Sequence, residues 1–225
     1  MALRLMSATI CAASVIVGTV VAVSAVAGSA APIRMGKQET LDLRVKAFLD
    51  ANRGQWRDMN VPEADGQALY DIIVENKYAR ALEIGTSTGH SGIWIAWALS
   101  KTGGNLITIE VDERRHRQAL ANFKAAGLDR FIDARLGDAH QLVPALPGPF
   151  DFVFSDADKD WYKNYLDAVL PKLEAGGAYI SHNVSRRGRR GASPEYLAYL
   201  ESLPGLETTL DSRGAGMAIS YKKRN

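Results

Sequence analysis

Apolar positions along the chain recur in two periods. Between Thr40 and Phe48 the residues Leu41, Val45 and Phe48 have helical spacing, and Gln67–Val74 reads as a second helix. Beyond them short apolar runs alternate with helical stretches. Strands are predicted at Ala81–Ile84, Leu106–Glu110, Ile132–Leu136, Phe150–Phe154 and, after a turn at Gly176-Gly177, Ala178–Ser181. Helices are predicted at Ser91–Leu99, at Glu113–Ala126 closing on Gly127, and at Trp161–Leu173. The tail adds a helix at Pro194–Leu203 and strands at Leu206–Leu210 and Gly216–Tyr221. Strands and helices in alternation argue for an α/β fold, a mostly parallel seven-stranded sheet covered on both faces. Such sheets bind ligands at the carboxyl ends of their strands, near the switch in strand order. The residues that follow strands one to five are therefore the ones to inspect.

Composition changes this picture at one end only. The 225 residues suffice for one domain, and a net charge of +2 creates no field that would draw nucleic acid. From Leu5 to Ile33, however, there is no charged residue, and Ala, Val, Ser and Gly dominate. Arg4 precedes this run, which is the layout of a signal peptide. At roughly 20 apolar residues it could equally span a bilayer as an uncleaved anchor. Residues 1–33 are thus expected to be a signal peptide or membrane anchor, and 34–225 the folded domain, exported or membrane-associated with its sidedness open. Cys11, the only cysteine, lies in that segment, so the domain has no disulfide or thiolate site.

After strand one comes Glu83-Ile84-Gly85-Thr86-Ser87-Thr88-Gly89. Glycines let the backbone turn tightly and approach a ligand, and a helix starting near Ser91 offers N–H groups to an anion. There is no Gly-x-Gly-x-x-Gly, and a purely structural turn explains this loop as well as a binding site does. After strand two comes Glu110, which could accept hydrogen bonds from ribose hydroxyls or serve the helix start with Asp112 and Glu113. After strand three, Asp138 and Ala139 stand where an adenine would lie. Together these positions fit an adenosine-containing ligand. After strand four comes Ser155-Asp156-Ala157-Asp158-Lys159-Asp160, and after strand five Ser181-His182-Asn183. Asp156, His182 and Asn183 could supply three metal ligands, and Lys159 could take a proton. A solvated helix start and a hydrogen-bonded strand-end histidine are the plain alternatives.

In order, these motifs resemble the metal-dependent O-methyltransferases of the catechol and caffeoyl-CoA type, over about Gln55 to the end. The resemblance rests on Met59-Asn60-Val61 with Gly66-Gln67, on Leu82-Glu83-Ile84-Gly85, on Ile107-Thr108-Ile109-Glu110, and on the Asp156–Asp160 run. It implies a single Rossmann-like class I methyltransferase domain that binds S-adenosylmethionine and methylates a small hydroxylated acceptor, expected to be an aromatic vicinal diol. It also implies a homodimer. The donor would be held by Met59, Asn60, Val61, Glu83, Gly85, Gly89, Ser91, Glu110, Val111, Asp138, Ala139 and Asp156. A divalent metal would be held by Asp156, His182 and Asn183, with Lys159 as proton acceptor.

The sequence departs from the family twice. The family has Asp-Asn where this chain has His182-Asn183, and magnesium prefers oxygen ligands. Three readings fit: a different metal, a weak magnesium site, or a metal-free enzyme with His182 as base. The second departure is Ser185-Arg186-Arg187-Gly188-Arg189-Arg190, whose four arginines could grip an anionic group on the acceptor or form a solvated loop. Competing functions are a nucleotide-dependent oxidoreductase, disfavoured by the glycine pattern, and a protein of this fold that binds the donor without catalysis.

Overall fold

The computed structural model describes residues 37–186 and 191–224. Its centre is β4 (Phe150–Ser155), buried along its whole length. On one side lie β1 (Arg80–Ile84), β2 (Asn105–Glu110) and β3 (Ile132–Leu136), and on the other β5 (Leu173–His182), β7 (Met217–Lys222) and β6 (Leu206–Asp211). The order is β3-β2-β1-β4-β5-β7-β6, with β1 to β5 parallel and β7 antiparallel to both neighbours.

The strands alternate between two cores, as a period of two requires. Leu82, Ile84, Val153 and Tyr179 face α5 (Ala139–Ala145), α6 (Tyr162–Val169) and α7 (Pro194–Ser202). Ala81, Phe152, Phe154 and Ile180 face α2 (Glu63–Asn76) and α3 (His90–Thr102). A third cluster joins α3 to α1 (Lys37–Ala51) and α4 (Glu113–Ala126) through Val45, Trp94, Trp97 and Phe123. Each such large side chain contributes on the order of 1.5–3 kcal/mol by leaving water. Both faces of the sheet are therefore covered, as the pattern predicts.

Three local expectations need correction. The helix expected over Trp161–Leu173 stops at Val169, because Pro171 has no N–H to continue it, and Leu173 already belongs to β5. Gly176-Gly177 is not a turn between elements: the strand runs through it, with a register shift against Phe150–Phe152. The pattern also missed α5, which is short, carries Pro144, and buries only Val143. By contrast α4 begins and ends as predicted. Asp112 caps it by accepting from Arg115 N–H, and Gly127 closes it in the left-handed conformation.

No helix among the described residues is long and apolar enough to cross a membrane. The segment 1–33, with Cys11, lies outside the described residues, as do Arg187, Arg189 and Arg190 of the arginine loop.

Candidate active site

The strand order reverses between β1 and β4, and there the carboxyl ends of β1 to β4 open into a cleft of about 500 Å³. Gly85 lets the first loop pass beneath the fourth. Its φ is +100°, and a Cβ there would sit 2.6 Å from the carbonyl oxygen of Asp156. Glu110 ties the first loop to the second. Its Oε2 accepts from Ser87 N–H (2.6 Å), and its Oε1 from the N–H groups of Val111 (3.1 Å) and Asp112 (3.0 Å). A carboxylate has about four acceptor positions, so roughly one remains for a ligand. At the third strand end Asp138 caps α5 by accepting from His140 N–H. The His140 ring stacks on Trp161 at 3.8 Å and joins the cleft wall.

A strap crosses this cleft. Asp58 and Met59 are both left-handed (φ 70° and 61°), and Met59 is 69% exposed while lining the opening. The strap is pinned at both ends of its bend. Arg114 and Arg115 of α4 grip the Asp58 carboxylate at 2.6 and 2.8 Å, and Ser87 Oγ donates to the Asp58 carbonyl. Those two guanidinium groups hold the Asp58 carboxyl down at about 2. Asn60 continues the strap by donating to Thr88 Oγ1 (2.8 Å).

Of the donor residues expected from sequence, Met59, Gly85, Glu110, Val111, Asp138, Ala139 and Asp156 line the cleft. The others stand behind it. Asn60 and Val61 line a separate cavity of about 250 Å³ with Trp56, which stacks on His90. Gly89 packs against Phe123 beneath the loop, and Ser91 bonds Glu83. Glu83 itself is fully buried, with Oε2 accepting from Thr108 Oγ1 (2.6 Å) and Oε1 without a partner. Burial drives its carboxyl up to about 8 despite those hydroxyl donors.

The ends of β4 and β5 meet beyond Asp156, and here the structure holds something the sequence did not suggest. His182 is 3% exposed. Its Nε2 lies 2.9 Å from Asp65 Oδ2, and its Nδ1 lies 3.0 Å from Asp156 Oδ2, off the ideal hydrogen-bond line. The other oxygen of Asp156 accepts from Lys159 Nζ, which also donates to the Tyr162 hydroxyl (2.7 Å). That hydroxyl points at the carbonyl oxygens of Ser155 and His182. Burial lowers the His182 imidazole, but hydrogen bonds and charges from Asp156 and Asp65 outweigh it and hold the ring at about 9. Asn183, left-handed at φ 54°, leaves the sheet here, its carbonyl accepting from Ala192 N–H.

Two of the three expected metal ligands, Asp156 and His182, thus face each other. Both oxygens of Asp156 face cations of the protein, and both nitrogens of His182 face carboxylates. Among the described residues no group of three or more His, Cys, Asp or Glu is arranged to hold a metal ion. The residues present do not fit a divalent cation. Nor is the ring open to an acceptor: it is 3% exposed, with Nε2 on Asp65 and Nδ1 turned to Asp156. The residue missed from sequence is Asp65. In the first turn of α2 beside Glu63 it reads as a helix-dipole charge, and nothing in the local pattern marks it as buried.

Residues 36–195 match the O-methyltransferase family model. The chain is 40% identical over 112 residues to a catechol O-methyltransferase of Niastella koreensis, covering 48% of this chain and 50% of that one. It is 30% identical over 146 residues to a caffeoyl-CoA O-methyltransferase of Medicago sativa, covering 62% and 59%. The matched stretches therefore span about half the length of these relatives. An O-methyltransferase from Bacillus cereus, solved in complex with SAH, superposes with a TM-score of 0.67 at 26% identity, over 85% of this chain and 94% of that one.

Proposed function

Because the chain belongs to the O-methyltransferase family, we propose that it transfers the methyl group of S-adenosylmethionine to an oxygen of a small hydroxylated acceptor. The cleft at the ends of β1 to β4 carries this reading. Glu110 offers its remaining acceptor position to a ribose hydroxyl, Asp138 and Ala139 flank the adenine, and Gly85 with Ser87 admits the amino-acid end of the donor. Glu83 backs that loop from within the core. Met59 closes over the sulfonium, and the acceptor enters from the side of Asp156 and Lys159. Holding donor and acceptor in line supplies much of the rate.

Lys159 takes the acceptor's proton. Its side chain is 26% exposed in the ion pair with Asp156, whereas His182 is enclosed. The test is calorimetry with S-adenosylhomocysteine followed by methyl transfer from labelled donor to a panel of phenols. Lys159→Met should leave product affinity within about twofold while lowering kcat by roughly 10²–10⁴. A wild type that does not bind S-adenosylhomocysteine sinks the reading, and an undiminished kcat in the variant removes Lys159 from the chemistry.

We also propose that the charge-free segment 5–33 directs the chain to a membrane, as signal or anchor. Because the donor is made inside cells, an anchor with the domain facing the cytosol reconciles the segment with the reaction. Recovery of the whole protein, N-terminus intact, from the soluble cytosolic fraction would count against it.

A further inference from the structure

Four charged side chains run in series where β4 and β5 end: Asp65, His182, Asp156 and Lys159. The outermost, Lys159, is the most exposed of the four, and Asp65 at the other end is 1% exposed. A carboxylate can only accept, so His182 Nε2 donates to Asp65 Oδ2 at 2.9 Å, while Nδ1 faces Asp156 Oδ2 at 3.0 Å and the ring fills the space between the two carboxylates. Its position is fixed from the far side as well. Asp65 Oδ2 also accepts from Ala215 N–H (2.9 Å), and a Cβ on Gly214 would come within 1.9 Å of Asp65 Oδ1. The 213–216 connection thus closes on Asp65 and leaves no room for a larger residue.

We propose that the Asp65–His182–Asp156 bridge stands in for a divalent ion, so that this chain methylates without metal and its acceptor needs only one hydroxyl. The inference rests on the O-methyltransferase reading. A divalent ion in such a site would chelate two neighbouring oxygens and therefore demand a vicinal diol. Here the imidazole sits inside the protein between the two carboxylates, and it acts on Asp156 rather than on the acceptor. Only Lys159 Nζ is left at the junction, and it serves one oxygen. In the reaction that oxygen forms the new bond to the methyl carbon. The carbon–sulfur bond breaks with its electron pair on sulfur, which neutralises the sulfonium, and the hydroxyl proton passes to the Lys159 nitrogen, whose ammonium has first released a proton to solvent. His182 and Asp65 are positioning residues in this scheme: they fix Asp156, and Asp156 fixes Lys159.

The test uses the full chain and Mn²⁺ as the probe. Free Mn²⁺ is followed by its electron paramagnetic resonance signal as it is titrated into wild type and into His182→Asp, both with S-adenosylhomocysteine present. Wild type should leave the free-ion signal unchanged, and His182→Asp should remove about one ion per chain, as an all-oxygen site can. In parallel, initial rates in EDTA are compared for a phenol and for its vicinal-diol analogue. A site built around two hydroxyls would reject the single-hydroxyl acceptor by on the order of 10⁴, so rates within roughly tenfold support the bridge. The proposal falls if wild type binds Mn²⁺ and Asp156→Asn abolishes that binding. It falls equally if EDTA removes activity and Mn²⁺ restores it. Both of these arms stand even if His182→Asp does not fold. Failure to bind S-adenosylhomocysteine would refute the function itself, whereas its binding together with Mn²⁺ capture would refute the bridge alone.

Discussion

Replacing His182 with alanine should destabilise the domain by about 3–5 kcal/mol, the usual result of stripping one partner from a buried ion pair. Asp65 decides the size of the effect. With His182 gone its carboxylate, 1% exposed, keeps only the Ala215 N–H, and its Oδ1 has no hydrogen-bond partner to begin with. Asp156 suffers less, because Lys159 stays on its other oxygen. In a domain of this size the loss corresponds to a fall in Tm of roughly 10 °C. The companion variant Asp65→Ala should also be strongly destabilised, since it takes away the only hydrogen-bond partner of the buried Nε2. The double variant should fall short of the sum by about 0.5–3 kcal/mol, because it buries neither charge alone. Denaturant titration of the four proteins measures this, and strictly additive losses would show that the two residues do not act as a pair.

The second large effect concerns pH. Glu83 titrates at about 8 in the fold against 4.5 in an open chain. A carboxyl raised by folding is neutral in both states below pH 4.5, so its contribution is then complete. As pH rises towards 8 the unfolded chain ionises first, and wild type loses up to about 1.4 kcal/mol per pH unit from this group. Glu83→Gln has no proton to lose. Its amide introduces a fixed cost, because the place of the unpartnered Oε1 passes to an NH₂ or stays empty, but that cost does not vary with pH. The gap in Tm between variant and wild type should therefore move steadily in the variant's favour from pH 5 to pH 8. Parallel melting curves across that range would mean that Glu83 is ionised in the folded protein throughout.

Much of the fold was legible because buried strands and amphipathic helices leave periodic marks. Helix α4 carries a capping aspartate at one end and a left-handed glycine at the other, so its limits could be read to the residue. Strand β5 was misjudged because two adjacent glycines look like punctuation, whereas here they let the strand absorb a register shift. Most of the cleft lining could be picked out because it follows the ends of strands. The Asp65–His182 contact could not, for a reason of distance. Asp65 and His182 are 117 positions apart, and neither has a local pattern that names the other. Asp58 was opaque in the same way: its partners Arg114 and Arg115 lie 56 and 57 positions away, in what reads as an ordinary charged helix.

That long-range contact also bears on how the domain assembles. Asp65 sits in the first turn of α2, His182 ends β5, and Ala215 lies in the connection before β7, 150 residues from Asp65. Contacts between positions so far apart form late, after nearer ones have already brought the chain together. Once formed, the tie works as a reversible cross-link: helix, strand and connection cannot separate without exposing a charge that was matched inside. This corner of the domain should therefore form and dissolve as one cooperative unit, present in full or not at all.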